Sequence, residues 1–279
     1  MIIGFVATII SMFGWGSYFV PVKKIGKYNS FYFQFLMCIS IFLSSVIISF
    51  LYDSFVFSYL GILSGILWSI GNISSALAVK KSGLSKSAPV WMGIGVFISF
   101  LWGILFFKES LNYLTIGVIG IILLISGIIL ISSIINGNKK YNIKGIVLAI
   151  IAGLIFGSYL VLLKISALEP IKFLFSMSLG ILIGGFIIYF IKRPKIKKKV
   201  IIPGLFSGVI WNIANFASLF VVLNLGIAIG FPLTQTALFI SILWGVIYFK
   251  EIKEKEKINR LIFSAIILFM GAILMGFSL

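Results

Sequence analysis

The sequence predicts an all-α membrane protein of ten transmembrane helices, arranged as two inverted repeats of five helices each. Three observations lead to this fold class: an apolar composition, ten apolar runs of spanning length, and an internal repeat. Of the 279 residues, 61% are hydrophobic and only 10% are charged, and the mean hydropathy is +1.22. A soluble chain of this length could not bury so much apolar surface, so lipid is its expected solvent.

The apolar runs are each close to the ~20 residues that a helix needs to cross a bilayer. They cover residues 2–22, 30–52, 57–79, 87–107, 113–135, 143–163, 170–191, 200–223, 227–249 and 259–278. The first run has neither a basic segment before it nor a cleavage site of the A-x-A type. We therefore interpret it as a retained first helix and not as a signal peptide.

The basic residues predict the orientation in the membrane. Twenty of the 23 lysines and arginines fall in the loops after helices 1, 3, 5, 7 and 9, and the exceptions are Lys108, Lys164 and Lys172. The positive-inside rule makes the lysine-rich loops cytoplasmic, so both termini of a ten-helix chain face outward. The net charge of +17 then reflects anchored loops of a multi-pass plasma-membrane protein, and we expect no nucleic-acid partner.

The second half of the chain repeats the first. GILSGILWSIGNISS (61–75) returns as GLFSGVIWNIANFAS (204–218), SFLWGILFFKE (99–109) as SILWGVIYFKE (241–251), and GWGSYFVPVKK (14–24) as IFGSYLVLLKI (155–165). The offsets are 143, 142 and 141 residues. We expect a first repeat over 1–135, a cytoplasmic linker over 136–142 and a second repeat over 143–279.

An odd number of helices per repeat means that the two copies insert upside down relative to each other. Basic loops accordingly follow helices 1 and 3 of the first copy but helices 2 and 4 of the second. Inverted repeats are typical of secondary transporters that work by alternating access, with the substrate bound between the halves.

One helical face is retained in both copies, because residues three and four apart share a face. In the first copy it carries Gly61, Gly65, Trp68, Asn72 and Ser75, and in the second it carries the same residue types at Gly204, Gly208, Trp211, Asn215 and Ser218. We assign the four glycines to close helix packing. The asparagines and tryptophans have two interpretations, either bonding between helices or lining a substrate cavity.

Further polar and aromatic residues within the apolar runs are candidates for substrate binding: Gln34, Gln235, Tyr18 and Tyr159. Amides offer both a donor and an acceptor to vicinal hydroxyls, and flat rings pack on the C–H face of a sugar. With no charge among them, these residues favour a neutral sugar or polyol. We expect no cofactor and no metal site.

These motifs resemble a known family. GWGSYFVPVKK followed by FYFQF, GFPLTQT, and the twice-used WG-x-x-x-F-K-E are similar to the glucose/ribose porter (sugar uptake) family, an EamA-like branch of the drug/metabolite transporter superfamily. The resemblance covers essentially the whole chain and implies two inverted five-helix repeats that carry a sugar or related metabolite. It also matches Glu109 and Glu251 to the acid that closes the fourth helix of each repeat.

Those two glutamates are the candidates for energy coupling. We expect instead that each pairs at the membrane edge with the lysine before it, Lys108 or Lys250. In that case transport is facilitated, or is coupled through backbone carbonyls.

Other functions stay open at this point. A carrier of an anionic or amphipathic metabolite, such as a phosphate ester or an amino-acid-like compound, would need lysines in its cavity, and Lys164 is the candidate. An intramembrane enzyme would need a mid-span acid, a histidine or metal ligands, so we expect no enzyme. A structural or receptor protein is disfavoured by the inverted repeat. The expected partners are the small-molecule substrate, the lipid bilayer and a second copy in a homodimer.

Overall fold

The computed structural model describes residues 1–25, 28–82, 84–136, 142–250 and 254–278, and these contain helices and connecting turns but no strand. The helices of the first half are α1 Ile2–Ser17, α2 Val20–Lys23, α3 Ser30–Leu51, α4 Tyr59–Ser82, α5 Leu84–Leu101 and α6 Leu114–Asn136. Those of the second half are α7 Ile143–Phe156, α8 Val161–Ser166, α9 Pro170–Lys192, α10 Ile201–Leu225, α11 Ile227–Thr234, α12 Ala237–Leu243 and α13 Lys255–Phe277. Two π-helical turns, Trp102–Phe106 and Trp244–Tyr248, and a 3₁₀ turn, Lys198–Val200, complete the set.

Nine helical stretches within the described ranges are long and apolar enough to cross a membrane, and a tenth is shorter. The nine cover Ile2–Lys23, Ser30–Leu51, Tyr59–Ala78, Leu114–Ile131, Ile143–Ser166, Pro170–Lys192, Lys198–Leu225, Ile227–Tyr248 and Lys255–Phe277, and the shorter one is Val90–Phe106. The all-helical fold class is therefore confirmed. Nine of the ten predicted spans have the expected length and apolarity, and the fourth coincides with α5 and the π turn after it, where the apolar stretch found is Val90–Phe106.

Helix starts follow local sequence. The Asn29 side-chain oxygen accepts hydrogen bonds from the backbone N–H groups of Phe31 and Tyr32 at 2.9 and 3.4 Å, which caps α3. Asn142 caps α7 in the same way, through the N–H of Gly145 at 3.2 Å. Helix α9 begins at Pro170, where the missing N–H costs no helical bond.

Several predicted spans are interrupted where the sequence indicated continuous helices. The first breaks at Tyr18–Phe19, the sixth between Phe156 and Val161, and the ninth at Gln235–Thr236. The fourth and ninth end in the two π turns, each followed by a lysine with positive φ, Lys108 at 50° and Lys250 at 51°. The first and sixth breaks, the π turns and these lysines recur at offsets of 141–142 residues, as the sequence repeat does.

The two halves pack mainly on each other. Helix α1 lies on α10 and α4 on α7, α3 contacts α10 and α4 contacts α9, while α3 pairs with α9 and α6 with α13. Close approach depends on glycine: a Cβ added at Gly120 would come within 2.9 Å of the carbonyl oxygen of Gly271 where α6 crosses α13. The α3, α4, α9 and α10 core joins residues from both halves and holds the tryptophans discussed next.

Candidate functional site

The repeated face of α4 meets its counterpart on α10 through the two tryptophans. The ring centroids of Trp68 and Trp211 are 4.3 Å apart with the ring planes tilted by 49°, and both side chains are buried. Trp15 of α1 also stacks on Trp211, with the ring centroids 6.4 Å apart. Three indoles, two from the first half and one from the second, thus form a continuous aromatic cluster, the indole cluster, between the halves.

Asn215 lies one turn beyond Trp211 and is 1% exposed. Its Nδ2 donates to the sulfur of Met177 on α9 at 3.7 Å, a weak acceptor, and its Oδ1 is buried with no hydrogen-bond partner. Half of this amide is therefore unsatisfied, which costs about 1–3 kcal/mol for a buried acceptor.

Asn212 lies three residues earlier on the same helix, and both its amide nitrogen and its amide oxygen are hydrogen-bonded to α3. Its Nδ2 donates to the hydroxyls of Ser44 and Ser45 at 2.8 and 3.0 Å, and Ser45 Oγ donates back to its Oδ1 at 3.3 Å. This amide joins α10 to α3. Of Asn212 and Asn215, Asn215 is the one with hydrogen-bonding capacity left for a ligand.

Asn72 differs from its repeat counterpart. It is partly exposed, and no hydrogen bond joins its amide to another residue in the part of the chain that the structure describes. Its backbone carbonyl accepts from the Ser75 hydroxyl at 2.8 Å, just as that of Asn215 accepts from Ser218 at 2.7 Å. The backbone pattern is thus repeated, while the burial of the two amides is not.

The two glutamines occupy different settings. Gln34 is 2% exposed, its Nε2 donates to the carbonyl of Ser69 at 3.1 Å, and its Oε1 is buried without a partner. This bond places the Gln34 amide against the α4 backbone one residue after Trp68 of the indole cluster. Gln235 is half-buried at the α11–α12 break, where its Nε2 donates to the hydroxyl of Thr234 at 3.2 Å.

Both candidate tyrosines lie in helix breaks. Tyr159, between α7 and α8, is buried in the same core cluster as the two tryptophans, and its carbonyl accepts from Ser64 of α4 at 2.8 Å. Tyr18, between α1 and α2, is partly buried against that cluster, with Phe19 4.1 Å from its ring. The breaks therefore bring an aromatic side chain from each half to the central core.

The four glycines of the repeated face lie against a helix of the opposite half: Gly61 and Gly65 against α9, and Gly204 and Gly208 against α3. A Cβ at Gly61 would come within 2.7 Å of Ser176 Cβ, and one at Gly65 would overlap the backbone of α9. A Cβ at Gly204 would meet Leu36 at 2.9 Å, and one at Gly208 would overlap Ser40 on α3.

The structure thus gathers Trp68, Trp211, Gln34, Tyr159 and Asn215 around one buried core, with Tyr18 beside it, and leaves Asn72 and Gln235 less enclosed. These side chains are packed together. Two open depressions among the described residues lie elsewhere, one of about 400 Å³ between α6 and α13 and one of about 330 Å³ next to the loop before α4.

Sequence reasoning missed a matched pair of bonds between the halves. Trp102 Nε1 donates to Ser158 Oγ at 2.9 Å, and Trp244 Nε1 donates to Ser17 Oγ at 2.8 Å. Each bond ties the π turn of one half to the helix break of the other. The signal was present in the sequence, because Ser17 and Ser158 repeat at an offset of 141 residues and the WG motifs at one of 142.

Glu109 does not pair with Lys108 as expected. Its carboxylate forms an ion pair with Lys164 and accepts from the backbone N–H groups of Ile227 and Ala228, each at 2.9 Å, at the start of α11. Lys164 also lies 4.4 Å from the ring of Phe107. The preference for Lys108 was wrong because positive φ at that residue turns the chain so that Glu109 reaches the N-terminus of α11. Glu251 lies outside the described residues.

Comparison with known proteins identifies the family. The chain matches the sequence profile of the family described as "Sugar transport protein" over residues 6–278. The chain belongs to this sugar transport family. The resemblance seen in the motifs is therefore confirmed, and the chain is a multi-pass integral membrane protein.

Similar proteins are distant in sequence but cover most of the chain. The "Putative sugar uptake protein" of Enterococcus faecalis is 27% identical, over 96% of this chain and 97% of its own length. The "Glucose uptake protein GlcU" of Bacillus subtilis is 27% identical over 78% of both chains, and "Transmembrane protein 144 homolog A" of Dictyostelium discoideum is 26% identical over 100% and 98%.

A solved structure has the same fold. Titled "Crystal structure of protein", it superposes with a TM-score of 0.80 over 97% of this chain and 95% of its own, at 13% identity. At this identity the likeness establishes the fold alone.

Proposed function

We propose that this chain is a transporter that moves a small neutral sugar or polyol across the membrane by alternating access. The observation that carries the proposal is the indole cluster: Trp68 and Trp211 meet at 4.3 Å where the two halves join, with the buried amides of Gln34 and Asn215 beside them. Membership in the sugar transport family and relatives named for sugar uptake support the same substrate class.

In this proposal, transport is carried out by two inverted repeats. They cover residues 1–135 and 143–279 and are joined by the linker 136–142. The support for this arrangement is the set of features that recur at the repeat offset: the breaks in the first and sixth spans, the π turns and the reciprocal Trp102–Ser158 and Trp244–Ser17 bonds. A pseudo-two-fold relation accounts for each half holding the other in the same way. The packed indole cluster then corresponds to a closed state, and separation of the halves there admits substrate.

The charge distribution around the core favours a neutral substrate over the alternative, an anionic or amphipathic metabolite. Lys164, the candidate for anion binding, is engaged by Glu109 and by the Phe107 ring. An anion would have to compete with that carboxylate for the lysine.

The direct test is flux through purified protein in proteoliposomes. A thermal-stabilisation screen of hexoses, pentoses and polyols first selects the ligand, because a specific binder raises apparent stability. We expect saturable counterflow of the selected radiolabelled neutral sugar, with sugar phosphates competing weakly. Counterflow of a phosphate ester together with no flux of any neutral sugar would contradict the proposal.

A further inference from the structure

Three buried polar atoms near the indole cluster have no hydrogen-bond partner: Trp15 Nε1, Gln34 Oε1 and Asn215 Oδ1. The other unpartnered buried atoms in the described part of the chain are serine hydroxyls, which can rotate towards nearby carbonyls. An indole N–H and an amide oxygen have no such freedom. A buried polar atom without a partner destabilises the folded protein, so the presence of three of them around one cluster needs a physical explanation.

The three atoms belong to three helices that pack on one another around the indole cluster, since α1 and α3 both contact α10. Trp15 of α1 stacks on Trp211, and Asn215 is one turn further along α10. Gln34 of α3 is held to α4 by its bond to the carbonyl of Ser69, the residue after Trp68. Each of the three residues is therefore linked to a tryptophan of the cluster by a ring contact, by one helical turn, or by a bond to the next residue.

The hydrogen-bond character of each atom is fixed. The Gln34 amide is oriented because only its nitrogen can donate to the Ser69 carbonyl, so Oε1 is the free end. The Asn215 nitrogen faces Met177, which leaves Oδ1 free. Trp15 Nε1 can only donate. The vicinity of the cluster thus offers one donor and two acceptors.

We propose that these three atoms are the substrate's hydrogen-bond partners, and that Trp15 is a binding residue alongside Gln34 and Asn215. This inference rests on the proposed function and specifies it. The two amide oxygens accept from two substrate hydroxyls, and the Trp15 N–H donates to a third oxygen. The site therefore requires a ligand that donates two hydrogen bonds and accepts one, which a polyhydroxylated neutral compound does and an ether or ester without free hydroxyls does not.

The test compares ligands whose hydroxyls are altered one at a time. The parent is whichever of D-glucose, D-mannose, D-galactose and D-ribose most stabilises the wild-type protein, together with its monodeoxy and monodeoxyfluoro derivatives. Fluorine can accept a hydrogen bond weakly but cannot donate one. We expect two positions at which both derivatives lose about five- to tenfold in affinity, and one at which fluorine recovers part of the loss.

Variants of the protein then assign each sensitive hydroxyl of the ligand to the side chain that binds it. Trp15→Phe keeps the ring and removes the N–H, so it should weaken parent binding about fivefold and abolish the fluorine recovery. Asn215→Ala should weaken the parent similarly but not the derivative that lacks its hydroxyl. Trp15→Phe removes no bond of the ligand-free protein and Asn215→Ala removes only the weak one to the sulfur of Met177, so both should leave its melting temperature nearly unchanged. The control Trp102→Phe breaks a bond that is made, so it should lower melting without changing affinity.

The outcomes separate this inference from the function it rests on. If Trp15→Phe and Asn215→Ala bind the parent and every derivative as the wild type does, the three atoms are not substrate contacts, although sugar transport stands. If none of the four sugars stabilises or exchanges through the wild-type protein, both proposals fall.

Discussion

At the scale of single residues, the two neighbouring asparagines of α10 predict opposite phenotypes. Asn212→Ala removes three hydrogen bonds and leaves Ser44 and Ser45 without their partner, so it should cost about 1–2 kcal/mol of stability with little effect on affinity. Asn215→Ala removes a half-satisfied amide, so affinity should fall while the melting temperature stays nearly unchanged. Thermal melts with and without sugar measure both. A large melting loss with normal affinity in Asn215→Ala would make it a packing residue.

Asn72 extends that comparison to the other half. As its amide is partly exposed and makes no bond to a described residue, Asn72→Ala should leave the melting temperature unchanged. If Asn72 contacts substrate when the halves separate, counterflow should slow in this variant as well. Unchanged counterflow in Asn72→Ala would restrict the substrate amides to Gln34 and Asn215.

Glu109 is predicted to act in structure and not in energy coupling. Its carboxylate caps α11 and neutralises Lys164, so Glu109→Gln should lower the melting temperature and slow counterflow and uphill uptake to the same extent. Sequence pattern extends this role to Glu251 as a prediction. Proteoliposome counterflow and gradient-driven uptake of both Gln variants test it. Intact counterflow with lost uphill uptake would identify these glutamates as proton-coupling residues.

At the scale of helices, close packing of α4 on α9 depends on Gly65. A methyl group there would overlap the α9 backbone around Met177 and Gly180, so Gly65→Ala should displace the helix and reduce the folded yield strongly. Gly93→Ala on α5 is the matched control, since its added Cβ would be 3.7 Å from Ile125, an ordinary contact. Size-exclusion profiles and melts compare the two. Equal behaviour of both variants would show that α4 can shift at no cost.

Helix existence could be read from the sequence, but helix interruptions could not. Apolar length predicts spans because an unpaired backbone is excluded from lipid, and nine of ten were found. The break at Tyr18–Phe19 had a local signal in Pro21, yet its counterpart at 157–160 breaks without proline. The Trp102–Ser158 bond made there is tertiary, and no local pattern encodes it.

The candidate site could be predicted from the sequence only in part. A doubled face of glycine, tryptophan and asparagine pointed to a meeting of α4 and α10, and Trp68 does contact Trp211. The unequal burial of Asn72 and Asn215 depends on neighbours that are not repeated, such as Met177 on the amide of Asn215. Repeats in sequence predict matching backbones better than matching environments.

At the scale of the whole molecule, the distribution of lysines predicts both termini outside and the basic loops inside. Single cysteines at position 138 and at the exposed Asp53, in a Cys38-free background, report this with a membrane-impermeant reagent applied to intact cells. We expect labelling at position 53 and none at 138. The reverse pattern would overturn the orientation without affecting the fold. The homodimer stays a prediction.

The central claim is that the face shared by α4 and α10 opens to water and to sugar when the halves separate. Ser218→Cys, on that face and fully buried in this structure, tests it in a Cys38-free background, with buried Ser45→Cys between α3 and α10 as the control. We measure alkylation by an impermeant thiol reagent in proteoliposomes, with and without the selected sugar. The account predicts slow labelling at position 218 that sugar suppresses, and none at position 45. Equal labelling at both positions, or labelling at 218 that sugar leaves unchanged, would contradict it.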